Sequence, residues 1–249
     1  MLSDYLLLGA IGFVAQLIDG ALGMAFGVIS TSAMLTMGIP VAQASAVVHT
    51  AEIFTTAASA TSHIYHSNVD WRLVARLGVG GVLGAVIGAW VLSNVDATAV
   101  RSYVSAYLLA LGLFILLKAA RRLPVRDAPF KLAPPLGLVG GFLDASGGGG
   151  WGPIVASTLV GSGHAPRRAV GSVNTTEFFV TVAAATTFFI ELGIAPWQDL
   201  IALIVGGVIA APFGGWAAKH LPARVLMVMV GVLVVTLALW QIARTFKFV

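Results

Sequence analysis

The chain has 249 residues, of which 58% are hydrophobic and only 10% are charged, and its mean hydropathy is +0.95. This composition excludes a disordered or collagen-like chain and predicts a polytopic membrane protein. The formal net charge of +4 does not indicate nucleic-acid binding, because almost all Lys and Arg lie in short loops beside apolar segments. The absence of cysteine excludes disulfides and thiol chemistry.

Eight apolar segments follow one another along the chain. They cover residues 5–37, 41–62, 73–93, 98–117, 132–161, 169–190, 200–218 and 223–243. The long polar connection, residues 118–131, is rich in Lys and Arg. We therefore expect an all-α membrane protein with a first transmembrane repeat over residues 1–117, a basic cytoplasmic linker over 118–131 and a second repeat over 132–249.

The two halves repeat one another with a shift of 125 residues. GFVAQLIDGALGMAFG (12–27) aligns with GLVGGFLDASGGGGWG (137–152), and VVHTAEIF (47–54) aligns with SVNTTEFF (172–179). Internal duplication of apolar sequence is typical of secondary transporters. The chain is therefore predicted to contain two repeats of four hydrophobic segments.

The first segment of each half is predicted to be discontinuous. Residues 5–37 would form a helix of about 50 Å, whereas the hydrocarbon core is about 30 Å thick. Glycines follow Asp19 in the first half, and four consecutive glycines and Pro153 follow Asp144 in the second. We expect two half-helices around an unwound tip, either as a broken long helix or as a re-entrant hairpin.

Loop charges favour the hairpin. With hairpins and an external amino terminus, eleven Lys and Arg lie inside and three outside; eight plain crossings give nine inside and five outside. The positive-inside rule prefers the first arrangement, in which three crossings per half make the two repeats inverted. Eight plain crossings remain the alternative.

Four carboxylates lie within apolar sequence: Asp19, Glu52, Asp144 and Glu177. Four charges left unpaired at this depth would cost on the order of 10 kcal/mol. We expect these residues to couple protons or to shape the substrate site. The alternatives are protonated acids that only hold helices together and, for the two aspartates, capping of a helix break.

The predicted substrate site combines a polar ring with the glycine tips. The ring consists of His49 and Thr50 in the first half and Asn174 and Thr175 in the second. Free backbone N–H groups at half-helix amino termini suit a tetrahedral oxyanion, and glycine lets it approach. The tip residues assigned to this site are Gly23, Ser146, Gly147, Gly148, Gly149 and Gly150. Alternatively, the glycines only permit close helix packing.

Two other chemistries have weaker support. His49 and Glu52 are spaced to bind a metal, but one imidazole and one carboxylate make an incomplete site. The segment from Asp144 to Gly147 faintly resembles the serine turn of an intramembrane protease, yet Ala21 stands opposite Ser146. We therefore expect no catalytic residue, no metal ligand and no cofactor.

The chain resembles the TauE/SafE family of sulfite and organosulfonate exporters. The resemblance covers essentially the whole chain and is carried by GFLDASGGGGWGP (141–153), GSVNTTEFF (171–179) and their first-half counterparts, GALGMAFG (20–27) and VVHTAEIF. It implies a secondary permease in the bacterial cytoplasmic membrane that exports small sulfur-containing anions. Transport of another small anion or of a divalent metal is the alternative function. An intramembrane serine hydrolase is a remote alternative.

The two halves differ at the glycine-rich tip. Met24, Ala25 and Phe26 stand opposite Gly149, Gly150 and Trp151, so the second half is expected to make the tighter contact with the anion. The expected partners are a small anionic substrate and the lipid bilayer, without nucleic acid. Small-residue faces leave a homodimer open.

Overall fold

The computed structural model describes residues 2–95, 97–120, 132–156, 158, 159, 162, 164–193, 197–220 and 223–245. The regular structure of this part of the chain is helical. The helices are α1 (Leu2–Leu22), α2 (Phe26–Thr36), α3 (Val41–Tyr65), α4 (Trp71–Asn94), α5 (Ala97–Ala120), α6 (Ala133–Gly147), α7 (Pro166–Leu192), α8 (Trp197–His220) and α9 (Ala223–Thr245). A short π-helix, Gly152–Ala156, follows α6.

Both segments that were expected to be discontinuous are interrupted. A break follows α1 at Leu22, and another follows α6 at Gly147. Gly23 and Gly148, which the 125-residue shift aligns, adopt φ values of +66° and +72°. This left-handed conformation ends helices and favours glycine. Of the predicted linker, residues 118–120 continue α5, and 121–131 lie outside the described residues.

The helices expose apolar rows, and polar side chains are buried among the apolar residues of the interior. On α4, Val79, Leu83 and Ile87 are exposed, and α8 exposes an equivalent apolar row. Buried positions carry Gln, Ser, Thr, His, Asp and Glu side chains. By length and composition, Trp71–Asn94, Tyr103–Ala120 and Arg168–Leu192 can each cross a membrane. Because soluble proteins rarely expose such long apolar rows, the molecule is a multi-pass membrane protein.

Glycines bring α4 and α6 into backbone contact. A Cβ added at Gly80, Gly84 or Gly88 of α4 would strike an α6 carbonyl, and one added at Gly137 or Gly141 would strike an α4 carbonyl. Glycines at four-residue spacing allow two helices to approach this closely in a membrane. The residue numbers of the contacting pairs increase in the same direction along both helices, so α4 and α6 run parallel.

The same packing joins α1 to α8. A Cβ added at Gly206 of α8 would strike the carbonyl of Gly9 in α1. The Tyr5 hydroxyl donates to Gln198 Oε1 at 3.0 Å near the start of both helices. These two helices therefore also run parallel, although they come from different halves of the chain.

The central helices α3 and α7 run antiparallel. The ring of His49 lies 5.8 Å from that of Phe188, and Asn174 Nδ2 donates to Ser59 Oγ at 2.9 Å. Helices α5 and α9 also pack together. Helix α2, which follows the first break, contacts α3, and the π-helix that follows the second break contacts α7. The breaks after α1 and α6 therefore lie next to a core pair of helices that comes from both halves.

Candidate functional site

An aspartate caps each helix break. Asp144 Oδ1 accepts a hydrogen bond from the backbone N–H of Trp151 at 2.9 Å. Asp19 Oδ1 accepts one from the N–H of Phe26 at 3.4 Å. Each carboxylate thus satisfies a donor seven residues later, where the chain re-enters a helix. The capping role weighed from the sequence is present at both positions.

The two breaks contact one another. A Cβ added at Gly27 would lie 3.0 Å from Gly149 Cα, and one added at Gly152 would lie 2.5 Å from the carbonyl oxygen of Gly23. Atoms this close leave no side chain between the two backbones. The site is therefore shared by both halves of the chain.

His49 connects α3 to the second break. Its Nδ1 lies 2.8 Å from the carbonyl oxygen of Ser45, and because a carbonyl only accepts, Nδ1 carries the hydrogen. Nε2 lies 3.2 Å from Asp144 Oδ2. The Ser45 hydroxyl donates to the carbonyl of Ala145 at 3.0 Å. Two polar contacts therefore tie α3 to the end of α6.

The glutamates lie at the middle of the two core helices. Glu52 and Glu177 are 3% and 5% exposed, and within the described part of the chain the Oε2 atom of each has no hydrogen-bond partner. Asp19, Glu52 and Asp144 all lie within electrostatic range of Glu177. Four acidic groups in one buried region repel one another, so protons, His49 or a bound cation must offset the negative charge.

Asn174 takes the place of His49 in the second half. Its Nδ2 donates to Ser59 Oγ, while its Oδ1 is buried and has no hydrogen-bond partner among the described residues. A Cβ added at Gly23 would lie 3.3 Å from that Oδ1 atom. Asn174 therefore faces the first break as His49 faces the second, but it does not form the equivalent bond to Asp19.

The ring threonines do not converge on the carboxylates. The Thr50 hydroxyl donates to the carbonyl of Ala46 at 2.6 Å, and the residue lines a surface cavity with Phe189 and Leu200. The Thr175 hydroxyl donates to the carbonyl of Gly171 at 2.7 Å. Thr50 therefore lies away from the cluster, while Thr175 is buried with its hydroxyl already bonded.

Neighbouring side chains and backbone pack against the glycines of the second break. A Cβ added at Gly147 or Gly150 would strike Tyr107, and one at Gly148 or Gly149 would strike α2. The Tyr107 hydroxyl donates to the carbonyl of Gly149 at 3.1 Å. In this conformation the glycines permit close packing, which was the alternative interpretation of the sequence.

Several buried polar residues of the first half were not predicted. Among the residues that the structure describes, Gln16 on α1 has no hydrogen-bond partner for either amide atom, and the hydroxyls of Ser30, Thr31 and Ser32 on α2 also have none. A run of three hydroxyl residues inside an apolar segment is the signal that could have found them. Tyr107 has no such signal, because it lies in an apolar segment far along the chain from the glycine-rich motifs.

The side chains considered for metal binding and for serine catalysis can also be located in the structure. His49, Glu52 and Asp144 each offer a ligand atom, and the three atoms lie within 4.8 Å of one another. The Ser146 hydroxyl donates to the carbonyl of Phe142 at 2.6 Å. Among the described residues, no histidine is hydrogen-bonded to Ser146, so a serine nucleophile with its base is not assembled here.

Comparisons with known proteins agree on one family. Residues 8–240 match the family described as Sulfite exporter TauE/SafE. The chain is 43% identical over 233 residues to the probable membrane transporter protein YtnM of Bacillus subtilis (strain 168), covering 89% of this chain and 77% of that protein. No solved structure matched the chain. The family match spans nearly the whole chain, and the chain belongs to the TauE/SafE family of membrane transporters.

Proposed function

We propose that the protein is a secondary transporter that exports small sulfur-containing anions, such as sulfite or organosulfonates, across the cytoplasmic membrane. The observation that carries this proposal is the contact between two Asp-capped helix breaks beside buried, unpartnered polar groups. Interrupted helices that meet inside a bundle are how many transporters bind small ions. The description of the matched family as a sulfite exporter supports this substrate class.

We propose further that the two halves are inverted repeats with re-entrant first segments. The most extensive contacts between the halves occur in corresponding pairs: α1 packs on α8 as α6 packs on α4, and α3 packs on α8 as α7 packs on α4. The hydrogen bond from Asp70 N to Ser172 Oγ supports this arrangement, because it brings the α3–α4 loop next to the first turns of α7. Eight plain crossings would put these two segments on opposite sides of the membrane.

Hydroxyl and amide donors of the first half would hold the anion. Gln16 and the hydroxyls of Ser30, Thr31 and Ser32 can donate, and none of them has a partner within the described structure. Buried donors nearly always have a hydrogen-bond partner, so the missing partners here indicate that a ligand or water binds beside these groups. The predicted contacts with Gly147–Gly150 would require Tyr107 and α2 to move away, as alternating access demands.

The electrical gradient favours this direction of transport. An inside-negative potential assists export of an anion by about 2.3 kcal/mol per charge for each 100 mV. A uniporter would therefore suffice thermodynamically, and proton coupling through Glu52 and Glu177 is an additional proposal. The unpartnered Oε2 atoms of both glutamates support it, because they are free to accept a proton.

Sulfite efflux from proteoliposomes tests the proposal. We expect efflux that rises with an inside-negative potential, and we expect Glu177→Gln to slow it by about tenfold or more because the buried carboxylate is lost. Glu191→Gln, at the exposed end of the same helix, is the matched control and should transport like the wild type. Efflux with and without a pH gradient separates proton coupling from uniport.

Two results would contradict the proposal. Efflux of carboxylates without efflux of sulfite, sulfoacetate, thiosulfate or sulfate would remove the sulfur-anion assignment. Wild-type efflux by Glu177→Gln would remove the role of that glutamate.

A divalent metal is the second candidate cargo, and the cluster of His49, Glu52 and Asp144 is the observation that favours it. Zinc entry into the same vesicles, followed with a trapped fluorescent chelator, tests this alternative. Transport of zinc that His49→Ala abolishes would support it, and sulfite efflux without any zinc entry would dismiss it.

A further inference from the structure

His49, Glu52 and Asp144 form a compact group of metal-ligating side chains. His49 and Glu52 are three residues apart on α3 and share one face of that helix. Asp144 comes from α6, and one ligand atom from each residue lies within 4.8 Å of the others. The sequence supplied only the first two ligands, because Asp144 is 95 residues away from His49.

The imidazole of His49 is oriented as a metal ligand. Its Nδ1–H donates to the Ser45 carbonyl at 2.8 Å, and Nε2 faces Asp144 Oδ2 at 3.2 Å. Metal-binding histidines usually donate their second nitrogen to a carbonyl or carboxylate in this way. Two ligands at about 2.1 Å from a tetrahedral ion lie about 3.4 Å apart, close to the observed separation.

Glu52 supplies an independent sign of a missing partner. Its side chain is 3% exposed, and Oε2 has no hydrogen-bond partner within the described residues. His49 and Asp144 both lie within electrostatic range of this carboxyl group. A buried carboxylate oxygen without a partner is rare, and it indicates a bound ion or water beside it.

The charge of the cluster suits a divalent cation. A metal-binding histidine is a neutral imidazole, so in the metal-binding form the three side chains would carry a charge of −2. Among the described residues no Lys or Arg is buried nearby to neutralise it. One nitrogen and two carboxylate oxygens suit Zn²⁺ or Mn²⁺, whereas Mg²⁺ and Ca²⁺ prefer oxygen alone. An anion beside these acidic groups needs a positive charge, which such a cation would provide.

We infer that His49, Glu52 and Asp144 bind one divalent transition-metal cation that remains in the protein and holds the transported anion by its positive charge. The role toward the anion rests on the proposed function, whereas the binding of the cation does not. Under this assignment Glu177, rather than Glu52, is the glutamate left to carry a coupling proton.

Titration of the purified full-length protein with Zn²⁺, and separately with Mn²⁺, tests the site by isothermal calorimetry without any anion substrate. We expect one cation per chain and a loss of affinity of about tenfold or more in Glu52→Gln. His49→Asn should lower the affinity for the cation by a similar factor. This variant places at position 49 the residue that the second half has at position 174. This second variant keeps the test valid if Glu52→Gln does not fold.

Glu177→Gln is the matched control, because it removes the equivalent carboxylate of the second half, which has Asn174 instead of a histidine nearby. It should lose clearly less affinity than Glu52→Gln, because it removes a neighbouring charge but no ligand atom. No binding by the wild type would overturn the site. An equal loss in Glu177→Gln and Glu52→Gln would also overturn it, since only general charge would then be involved.

The role of the cation is tested on the same protein by titrating sulfite after chelation and after zinc loading. We expect sulfite to bind about tenfold more tightly to the loaded protein, without zinc entering vesicles. Equal sulfite affinities, or transport of the zinc, would overturn the resident role. Zinc binding without any sulfite binding would instead contradict the proposed anion substrate, so the two failures are distinguishable.

Discussion

Asp144 combines two tasks in one carboxylate. Oδ1 caps the chain at Trp151, and Oδ2 faces His49. Asp19 occupies the equivalent position but only caps its break, at the longer distance of 3.4 Å. The two aspartates therefore occupy equivalent sequence positions but contribute differently to the free energy of unfolding. Of the two, Asp144 also contacts a residue from the opposite half of the molecule.

Alanine substitutions measure this inequality. We expect Asp144→Ala to lower the free energy of unfolding by about 2 kcal/mol or more, since it removes a cap and leaves His49 without its partner. Asp19→Ala should cost about 1 kcal/mol through the cap alone. Denaturation of both variants in detergent, followed by circular dichroism, gives the comparison. A larger loss in Asp19→Ala would contradict it.

At the scale of helices, glycine spacing determines which pairs are in closest contact. Gly80, Gly84 and Gly88 bring the backbone of α4 against α6. Without a hydrophobic force between helices in lipid, close packing supplies much of the attraction. These pairs position the breaks, because the capped end of α6 is held by the same contact that Gly88 makes with Phe142.

Two glycines of α4 provide a matched test of this packing. In Gly84→Ala the new methyl group would strike the Leu138 carbonyl, whereas in Gly78→Ala it would lie 3.7 Å from Thr176 Cγ2, an ordinary contact. We expect Gly84→Ala to destabilise the protein by about 1–3 kcal/mol. Gly78→Ala should be neutral or slightly stabilising, because alanine favours helices. Thermal unfolding in detergent checks both, and equal melting temperatures would contradict the expectation.

At the scale of the whole molecule, the proposed inverted arrangement makes a prediction about sidedness. The α3–α4 loop and the α7–α8 loop should face opposite sides of the membrane, whereas eight plain crossings would put both inside. The chain has no native cysteine, so single cysteines can be introduced at His66 and Leu192, which are both exposed.

An impermeant maleimide applied to intact cells distinguishes the two arrangements. We expect labelling of Leu192→Cys and protection of His66→Cys until the cells are lysed. The positive-inside rule sets this orientation, since Arg72 and Arg76 follow the α3–α4 loop. Protection of both cysteines in intact cells would favour eight plain crossings.

Much of the helical architecture could be predicted from the sequence, because apolar runs and repeated motifs report directly on membrane helices. The interruptions after Leu22 and Gly147 follow from glycine chemistry, and the caps by Asp19 and Asp144 follow from their positions before the interruptions. Family membership was also predicted, and the comparisons confirm it.

The site was less predictable because its contacts join distant parts of the chain. Nothing local to His49 indicates that Asp144 is its partner, and nothing around Tyr107 indicates that it packs over a glycine tip. Thr50 aligns with the polar ring, yet its hydroxyl bonds its own helix. Helical spacing predicts which residues share a face, but it does not predict what that face meets.

The parallel pairs α1–α8 and α4–α6 also constrain how the chain is assembled. During synthesis, α1 emerges with a glycine face that α8 must cover, and α8 is made only after most of the chain. The first half therefore enters the bilayer before its closest neighbour exists. Its own core helix α3 likewise waits for α7. Membrane insertion and final folding must consequently be separate events, with the candidate site completed only when both halves are present.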